Sequence, residues 1–254
     1  MNRPFAMKTT ALHAFLVISF AATLLASAGA RAAAFGVSPI RVDLDASSRS
    51  GLITVTNDED RRLRFQVKLR RWTQDAAGVD QYADSDDLLY FPQILTLEPK
   101  EKRVVRIGLR STPVAPEAAY RLYVEEMPDV SNAQAQGTQV SIRLRFGVPV
   151  FVTGAKGGPR TELTAVGMRK GRIDLGVRNN GERHVRIEEI VARSSGREIG
   201  KVAGWYVFPG AIRGFSIPVA REACPSSGPI EIVAITDGHE ARTVAEPASA
   251  LCAP

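Results

Sequence analysis

The side chains that most often do chemistry in proteins are few and scattered in this sequence. There are three histidines, His13, His184 and His239, and two cysteines, Cys224 and Cys252. Zinc sites place their cysteine and histidine ligands at short, regular spacings, and neither cysteine stands at such a spacing. We therefore expect no metal site and no cofactor.

Carboxylates and nucleophiles do not form a recognisable catalytic pattern either. The acidic run DSDD at residues 84–87 lacks the further oxygen ligands of a calcium loop, so a solvated loop is the favoured interpretation. The chain has no G-x-S-x-G elbow and no glycine-rich phosphate loop that opens a helix. Triads assemble from distant residues in some enzymes, but no motif indicates one here. We expect a protein without enzymatic activity.

The N-terminal residues 1–34 have the pattern of a secretory signal peptide. Arg3 and Lys8 precede an apolar run that is too short to span a bilayer, and small residues follow. Two Ala-x-Ala cleavage options end at Ala32 and Ala34. We therefore expect an exported mature chain that does not insert into the membrane.

The net charge argues against nucleic acid as a partner. The formal charge of the chain is +6, and loss of the three basic residues of the leader lowers it to +3. That value is too mild for a nucleic-acid-binding domain. The one basic tract, RRLRFQVKLRR at residues 61–71, alternates with apolar residues, which predicts the solvated outer face of a strand.

Export also changes how the cysteines are interpreted. In an oxidising compartment, a pair of cysteines is more often bridged than free. Cys224 and Cys252 are therefore predicted to form a disulfide. The alternative is two buried thiols that never meet.

Beyond the leader, hydrophobic residues alternate with polar ones in many short segments, which predicts an all-β protein. No segment has a sustained helical period. The glycine-rich stretch TGAKGGPR at residues 153–160 interrupts the alternation and is predicted to be a linker. The expected division is two β-sandwich domains over residues 35–153 and 154–254.

One predicted strand, QVSIRLRFGVPVFVTG at residues 139–154, is longer than strands usually are. Its apolar face comprises Val140, Ile142, Leu144, Phe146, Val148, Val150 and Val152. Either this whole face packs into the protein's own core, or part of it is completed by a partner.

Five segments follow one another along the chain in this order: FGVSPIRVDLD, VTNDEDRRLRFQVKLRRW, LEPKEKRVVRIGLR, YRLYVEEMP and IRLRFGVPVFV. Over residues 35–152 this ordered set resembles the periplasmic pilus-assembly chaperones. The resemblance implies two immunoglobulin-like domains, a periplasmic location, and pilin subunits and an outer-membrane usher as partners. The ending GVPVFV and the motif AYRLYVEEMP look more like the archaic branch, which assembles spore-coat-like pilins.

The resemblance also implies a role for the long strand. Chaperones of this family donate it to a pilin whose own fold lacks a strand, which is a form of β-augmentation. The residues expected to enter the subunit are Val140, Ile142, Leu144 and Phe146.

Two positive charges are expected to hold the terminal carboxylate of the subunit. Arg41 in SPIRV matches the family's arginine, whereas Pro149 stands where many members have a lysine. A hairpin between the strand that ends at Glu126 and the long strand, taken to start near Val140, is predicted to place Arg121 opposite Arg145, close to the missing lysine. Arg121 is therefore the expected second anchor, and Arg143 and Arg145 are weaker candidates.

The alternative hypothesis is an exported immunoglobulin-like adhesion or ligand-binding module without chaperone activity. That function would leave Arg41 and the long strand without a role.

Overall fold

The described part of the chain is built almost entirely from β-strands. A computed structural model describes residues 35–128, 143–154, 156–224, 228–246 and 251. The predicted signal peptide lies outside these residues. No helix in the described ranges is long and apolar enough to cross a membrane.

Among the described residues, the first sandwich contains ten strands in two sheets. One sheet has the order β1-β3-β8-β6, and the other has the order β2-β10-β9-β4-β5, with β7 also paired to β4. The strands are β1 Phe35–Ser38, β2 Val42–Leu44, β3 Ser50–Asn57, β4 Leu63–Gln74, β5 Asp80–Asp84, β6 Leu88–Phe91, β7 Ile94–Leu97, β8 Lys102–Leu109, β9 Ala118–Glu126 and β10 Arg145–Val152.

Alternation along these strands creates the first core. In β4, Leu63, Phe65, Val67 and Leu69 are buried, while the residues between them are exposed or half-buried. Successive strand residues point to opposite faces, so one face packs against the facing sheet and the other carries the basic tract. The predicted outer face of that tract is confirmed.

The second sandwich begins after the predicted linker. Its sheets have the orders β11-β12-β16 and β14-β13-β17-β18, with β15 paired to β13. The strands are β11 Thr161–Arg169, β12 Arg172–Asn179, β13 Val185–Ser194, β14 Arg197–Ala203, β15 Tyr206–Val207, β16 Ile212–Pro218, β17 Ile230–Thr236 and β18 Glu240–Ala245. An apolar core that includes Ile173, Ile190 and Ile232 fills it.

Residues Phe35–Pro254 form one compact unit, in which a third buried cluster joins the two sandwiches. The members of this cluster, which forms the seam between the sandwiches, are Trp72, Ala119, Phe151, Tyr206 and Phe208. The Gln74 amide reinforces the seam, because it donates to the Tyr206 carbonyl at 2.8 Å and accepts from the Phe208 N–H at 3.0 Å. The outer face of the β2-β10-β9-β4-β5 sheet is thus covered in part by the second sandwich.

The predicted disulfide is only partly placed by the described residues. Cys224 follows a short 3-10 turn, Arg221–Ala223, and packs against the second core. The fully buried Leu251 belongs to the same core. Cys252 lies outside the described residues, so the bridge stays a prediction, which non-reducing mass spectrometry of the purified protein would test.

Candidate functional site

A row of residues across one sheet brings the expected anchor positions together. Within β10, Val150 pairs with Val42 of β2, so Arg41 lies beside Pro149. On its other side, Pro149 pairs directly with Arg121 of β9. Neighbouring strands are about 4.8 Å apart, which separates the backbones of Arg41 and Arg121 by roughly 10 Å. The two arginines flank the position at which the family lysine is missing.

The register predicted for this hairpin is wrong by several residues. Arg145 pairs with Glu125 and not with Arg121. The expectation assumed that the returning strand starts near residue 140, whereas β10 starts at Arg145, and a later start shifts every pair. The observed register pairs Arg121 with Pro149, so Arg121 lies directly beside the position at which a lysine was expected.

The row lies on the outer face of the sheet, toward the second sandwich. Val148 and Val150 belong to the first core, so Pro149 between them points away from it. By the same alternation, Arg121 faces outward beside the core residue Leu122.

Arg41 is already paired with acidic groups. Its Nε lies 2.8 Å from a carboxylate oxygen of Asp43, and its Nη1 lies 3.4 Å from Asp237 of the second sandwich. The guanidinium is about one-third exposed (37%). A client carboxylate would therefore compete with Asp43 and Asp237 for Arg41.

Arg121 has a different environment, made of aromatic rings and a carbonyl. Its guanidinium carbon lies 4.0 Å from the ring centroid of Trp72 and 5.5 Å from that of Trp205. Nη1 donates to the Gly147 carbonyl at 2.9 Å. Nε is buried and has no hydrogen-bond partner among the described residues, and none of their carboxylates forms an ion pair with Arg121. Within the described part of the chain, no carboxylate therefore balances the charge of this cation.

Tyr82 extends the aromatic surroundings of Arg121. Its ring stacks on Trp72, with centroids 6.1 Å apart and an interplanar angle of 19°. Burial raises the pKa of the Tyr82 phenol, and the positive charge of Arg121 opposes part of that shift. The phenol therefore stays neutral at physiological pH and does not act as the missing counter-charge.

Gly147 gives the guanidinium room to cross β10. A Cβ at this position would lie 2.9 Å from Cε1 of Tyr123 and 3.8 Å from Cδ of Arg121. Any larger residue would displace the tyrosine ring, the arginine stem or both. The glycine therefore keeps the outer face open between β9 and β10.

The weaker anchor candidates lie away from the row. Arg145 forms a 2.7 Å ion pair with Glu125, and its guanidinium carbon lies 3.9 Å from the centroid of the Tyr123 ring. Arg143 is exposed and precedes β10. Neither residue is adjacent to Pro149.

The start of β10 differs from the predicted long strand. Leu144 precedes the strand and packs partly against the first core, whereas Phe146 is 40% exposed and meets Phe35 edge to face at 6.0 Å. Val140 and Ile142 lie outside the described residues. The apolar face is thus core from Val148 onward, while Phe146 is exposed and Leu144 is half-buried.

One edge of this open segment is available for pairing. Residues 145–148 pair with β9 on one side, while β2 covers only residues 150–152 on the other. No strand in the described part of the chain pairs with that second edge of residues 145–148. An unpaired edge presents N–H and C=O groups to an added strand.

Sequence analysis missed several residues of this site, namely Trp72, Gly147, Trp205 and Asp237. One signal was present for Trp72, because the buried residues of β4 shift from odd to even positions there. No local pattern identifies Trp205 or Asp237, which reach the site from the second sandwich. No group of three or more His, Cys, Asp or Glu side chains suited to a metal ion occurs in the described ranges.

Comparison with known proteins supports the predicted resemblance. Residues 34–156 match the family model of pili and flagellar-assembly chaperones, in its PapD N-terminal domain. The resemblance carried by the ordered motifs is therefore confirmed over these residues. No curated protein sequence matches the chain.

Solved structures share the fold over both sandwiches. A chain of the CsuC–CsuE chaperone–tip adhesion subunit complex, from archaic Csu pili of Acinetobacter baumannii, has a TM-score of 0.61 at 22% identity, covering 84% of this chain and 98% of its own. A chain of the Salmonella enterica SafA pilin complex with the SafB chaperone has a TM-score of 0.57 at 17% identity, covering 85% of this chain and 99% of its own. The E. coli chaperone DraB has a TM-score of 0.55 at 19% identity, covering 84% of this chain and 96% of its own. The predicted all-β fold of two immunoglobulin-like sandwiches is confirmed.

Proposed function

We propose that this protein is a periplasmic chaperone that binds pilin subunits by donor-strand complementation and delivers them to an outer-membrane usher. The observation that carries the proposal is the open edge of residues 145–148, which ends one residue before Pro149 of the Arg41–Pro149–Arg121 row. A strand added at that edge ends beside the arginines. No enzymatic activity is needed for this function.

Apolar burial and backbone pairing supply the binding energy of the donor segment. Phe146 exposes 40% of its surface, and Leu144 is half-buried. A side chain of this size contributes roughly 1.5–3 kcal/mol when it is fully buried. Val140 and Ile142 are proposed to extend the same face into the subunit.

The arginine row supplies a site for the carboxylate at the end of the subunit. Arg121 is the stronger candidate, because it meets no acidic partner among the described residues. A carboxylate beside it would form a charge-assisted hydrogen bond, which is about twice as strong as a neutral one. Arg41 is the second member, with Asp43 and Asp237 as competitors.

Two further parts of the proposal come from the leader and the relatives. Residues 1–34 are proposed to direct export and to be removed. The archaic branch is supported by the GVPVFV ending and by likeness in fold to a chain from an archaic pilus complex. Structures of relatives contain a chaperone with a tip adhesion subunit and a chaperone with a pilin, which supports pilins as the clients.

Phe146→Asp tests donor-strand complementation most directly. An unpaired carboxylate buried in the groove of the subunit is strongly unfavourable, so co-expressed candidate pilins should no longer be recovered with the variant. The free protein should lose only about 1 kcal/mol, because Phe146 mainly contributes one edge-to-face contact. The measurements are pilin recovery by pull-down and thermal melting of the purified variant.

Val104→Asp is the matched control, because Val104 is 44% exposed and lies on β8 of the opposite sheet. It should retain the pilin. Recovery of the pilin with Phe146→Asp at wild-type levels would show that this strand is not donated.

A further inference from the structure

We propose that Trp205, in the second sandwich, is a positioning residue that holds the guanidinium of Arg121 ready for a carboxylate. The inference rests on the proposed function of the arginine row and adds a residue that this function requires. It also makes the second sandwich part of the binding site.

Two tryptophans from different sandwiches meet at Arg121. Trp72 belongs to β4 of the first sandwich, and Trp205 directly precedes β15 of the second. Their rings pack edge to face with centroids 6.2 Å apart. The guanidinium carbon of Arg121 is within 4.0 Å of one centroid and 5.5 Å of the other. Arg121 therefore lies at the seam between the two sandwiches.

Polar contacts fix the indole of Trp205 to the first sandwich. Its Nε1–H donates to Asp80 at 2.7 Å. Arg213 donates to the other Asp80 oxygen at 3.3 Å and to the Gly78 carbonyl at 2.7 Å, and its guanidinium carbon lies 5.9 Å from the Trp205 ring. The Trp205 carbonyl also accepts from the Ile187 N–H. The ring is held from both sides of the seam.

This arrangement suits a cation that must stay oriented before its partner arrives. Guanidinium stacking on indole is favourable and leaves the in-plane N–H groups directed sideways. The Gly147 carbonyl accepts from one of them. A planar carboxylate approaches a guanidinium in its plane, so stacking does not compete with binding. Without Trp205, the guanidinium of Arg121 would keep its contact with the Trp72 ring but would rotate more freely.

The test uses the mature chain labelled with ¹⁵N and acetate as the probe, at constant ionic strength. The Nε–Hε signal of Arg121, assigned by its loss in Arg121→Lys, should shift with acetate and not with acetamide. Trp205→Ala should bind acetate roughly three- to tenfold more weakly, in line with the size of a partly desolvated cation–π contact. Trp205→Phe keeps an aromatic face and should restore affinity to within about twofold of wild type.

Val244→Ala is the control, because Val244 is 65% exposed on β18, the edge strand of its sheet. It should bind acetate as the wild type does. Wild-type affinity in Trp205→Ala, or no recovery in Trp205→Phe, would overturn the positioning role. If acetate shifts the wild-type signal no more than acetamide does, the arginine anchor itself is wrong, and the role of Trp205 is lost with it.

Discussion

At the scale of single residues, three arginines in one row have three different electrostatic situations. Arg70 pairs with Arg121 across the strands, and its Nε lies 3.0 Å from Asp84. Arg41 is shared by two carboxylates. Arg121 between them is stabilised by aromatic faces. Like charges in adjacent strands disfavour each other, so an incoming carboxylate gains most at Arg121.

The two anchor arginines should therefore contribute unequally. Arg121→Ala should reduce pilin recovery more than Arg41→Ala, because Arg41 must first exchange an existing partner. Arg121→Ala should also lower the stability of the free protein by about 0.5–2 kcal/mol through the lost cation–π contact. Quantitative pull-down and thermal melting of both variants measure the two effects.

Arg71→Ala is the matched control for Arg121→Ala, since the guanidinium carbon of Arg71 also lies over a ring, 5.0 Å from the centroid of Tyr120. It should lose comparable stability and keep the pilin. Equal recovery with Arg121→Ala and Arg71→Ala would contradict the assignment of Arg121 as anchor.

At the scale of strands, the sequence predicts the elements well and their register poorly. Alternation identified β3, β4, β8, β9 and the body of β10, because each has one face in a core. Pairing in a hairpin depends on where the second strand starts, and residues 143–144 have the same alternation as the strand that follows. The start at Arg145 is set by where β9 ends at Glu126, which only the fold determines.

Residues on the outer faces were harder to predict for a related reason. Alternation marks a face as buried or exposed, but it does not show what covers an outer face. Trp72 and Phe151 lie on the outer side of their sheet and are nevertheless buried, because the second sandwich packs there. The two-sandwich division was predicted, but the contacts across the seam depend on the relative position of the sandwiches.

Gly147→Ala tests whether the open outer face of β10 matters. The added methyl group would crowd the Tyr123 ring at 2.9 Å, which should cost roughly 1–3 kcal/mol of stability. A backbone shift that relieves this crowding would move the Gly147 carbonyl, which accepts from Arg121 Nη1 at 2.9 Å, and should also reduce pilin recovery. Gly214→Ala in strand β16 is the control, since a Cβ there meets nothing within 4 Å. Unchanged melting and pilin recovery in Gly147→Ala would show that β10 tolerates a side chain at this position.

At the scale of the whole molecule, a buried polar contact ties the sheet that contains β9 and β10 to the second sandwich. Glu117 precedes β9, and its Oε1 accepts from the His184 N–H at 2.9 Å and lies 2.5 Å from His184 Nδ1. The His184 ring stacks on Phe151 of β10, with centroids 3.6 Å apart. Arg183 approaches the second Glu117 oxygen at 3.7 Å. The end of β10 is therefore held by the second sandwich.

Glu117→Ala should loosen this contact and show how far the anchor depends on it. The Glu117 side chain is 1% exposed, and its loss leaves buried donors of His184 without an acceptor, at a cost of roughly 1–3 kcal/mol. The melting temperature should fall by about 3–10 °C. Because Trp205 reaches Arg121 across the same seam, acetate binding should weaken together with stability. Glu231→Ala removes a half-buried side chain that is ion-paired with Arg242, and it should change neither. If Glu117→Ala melts lower but binds acetate normally, Trp205 keeps its place through Asp80 alone, and the two contacts act independently.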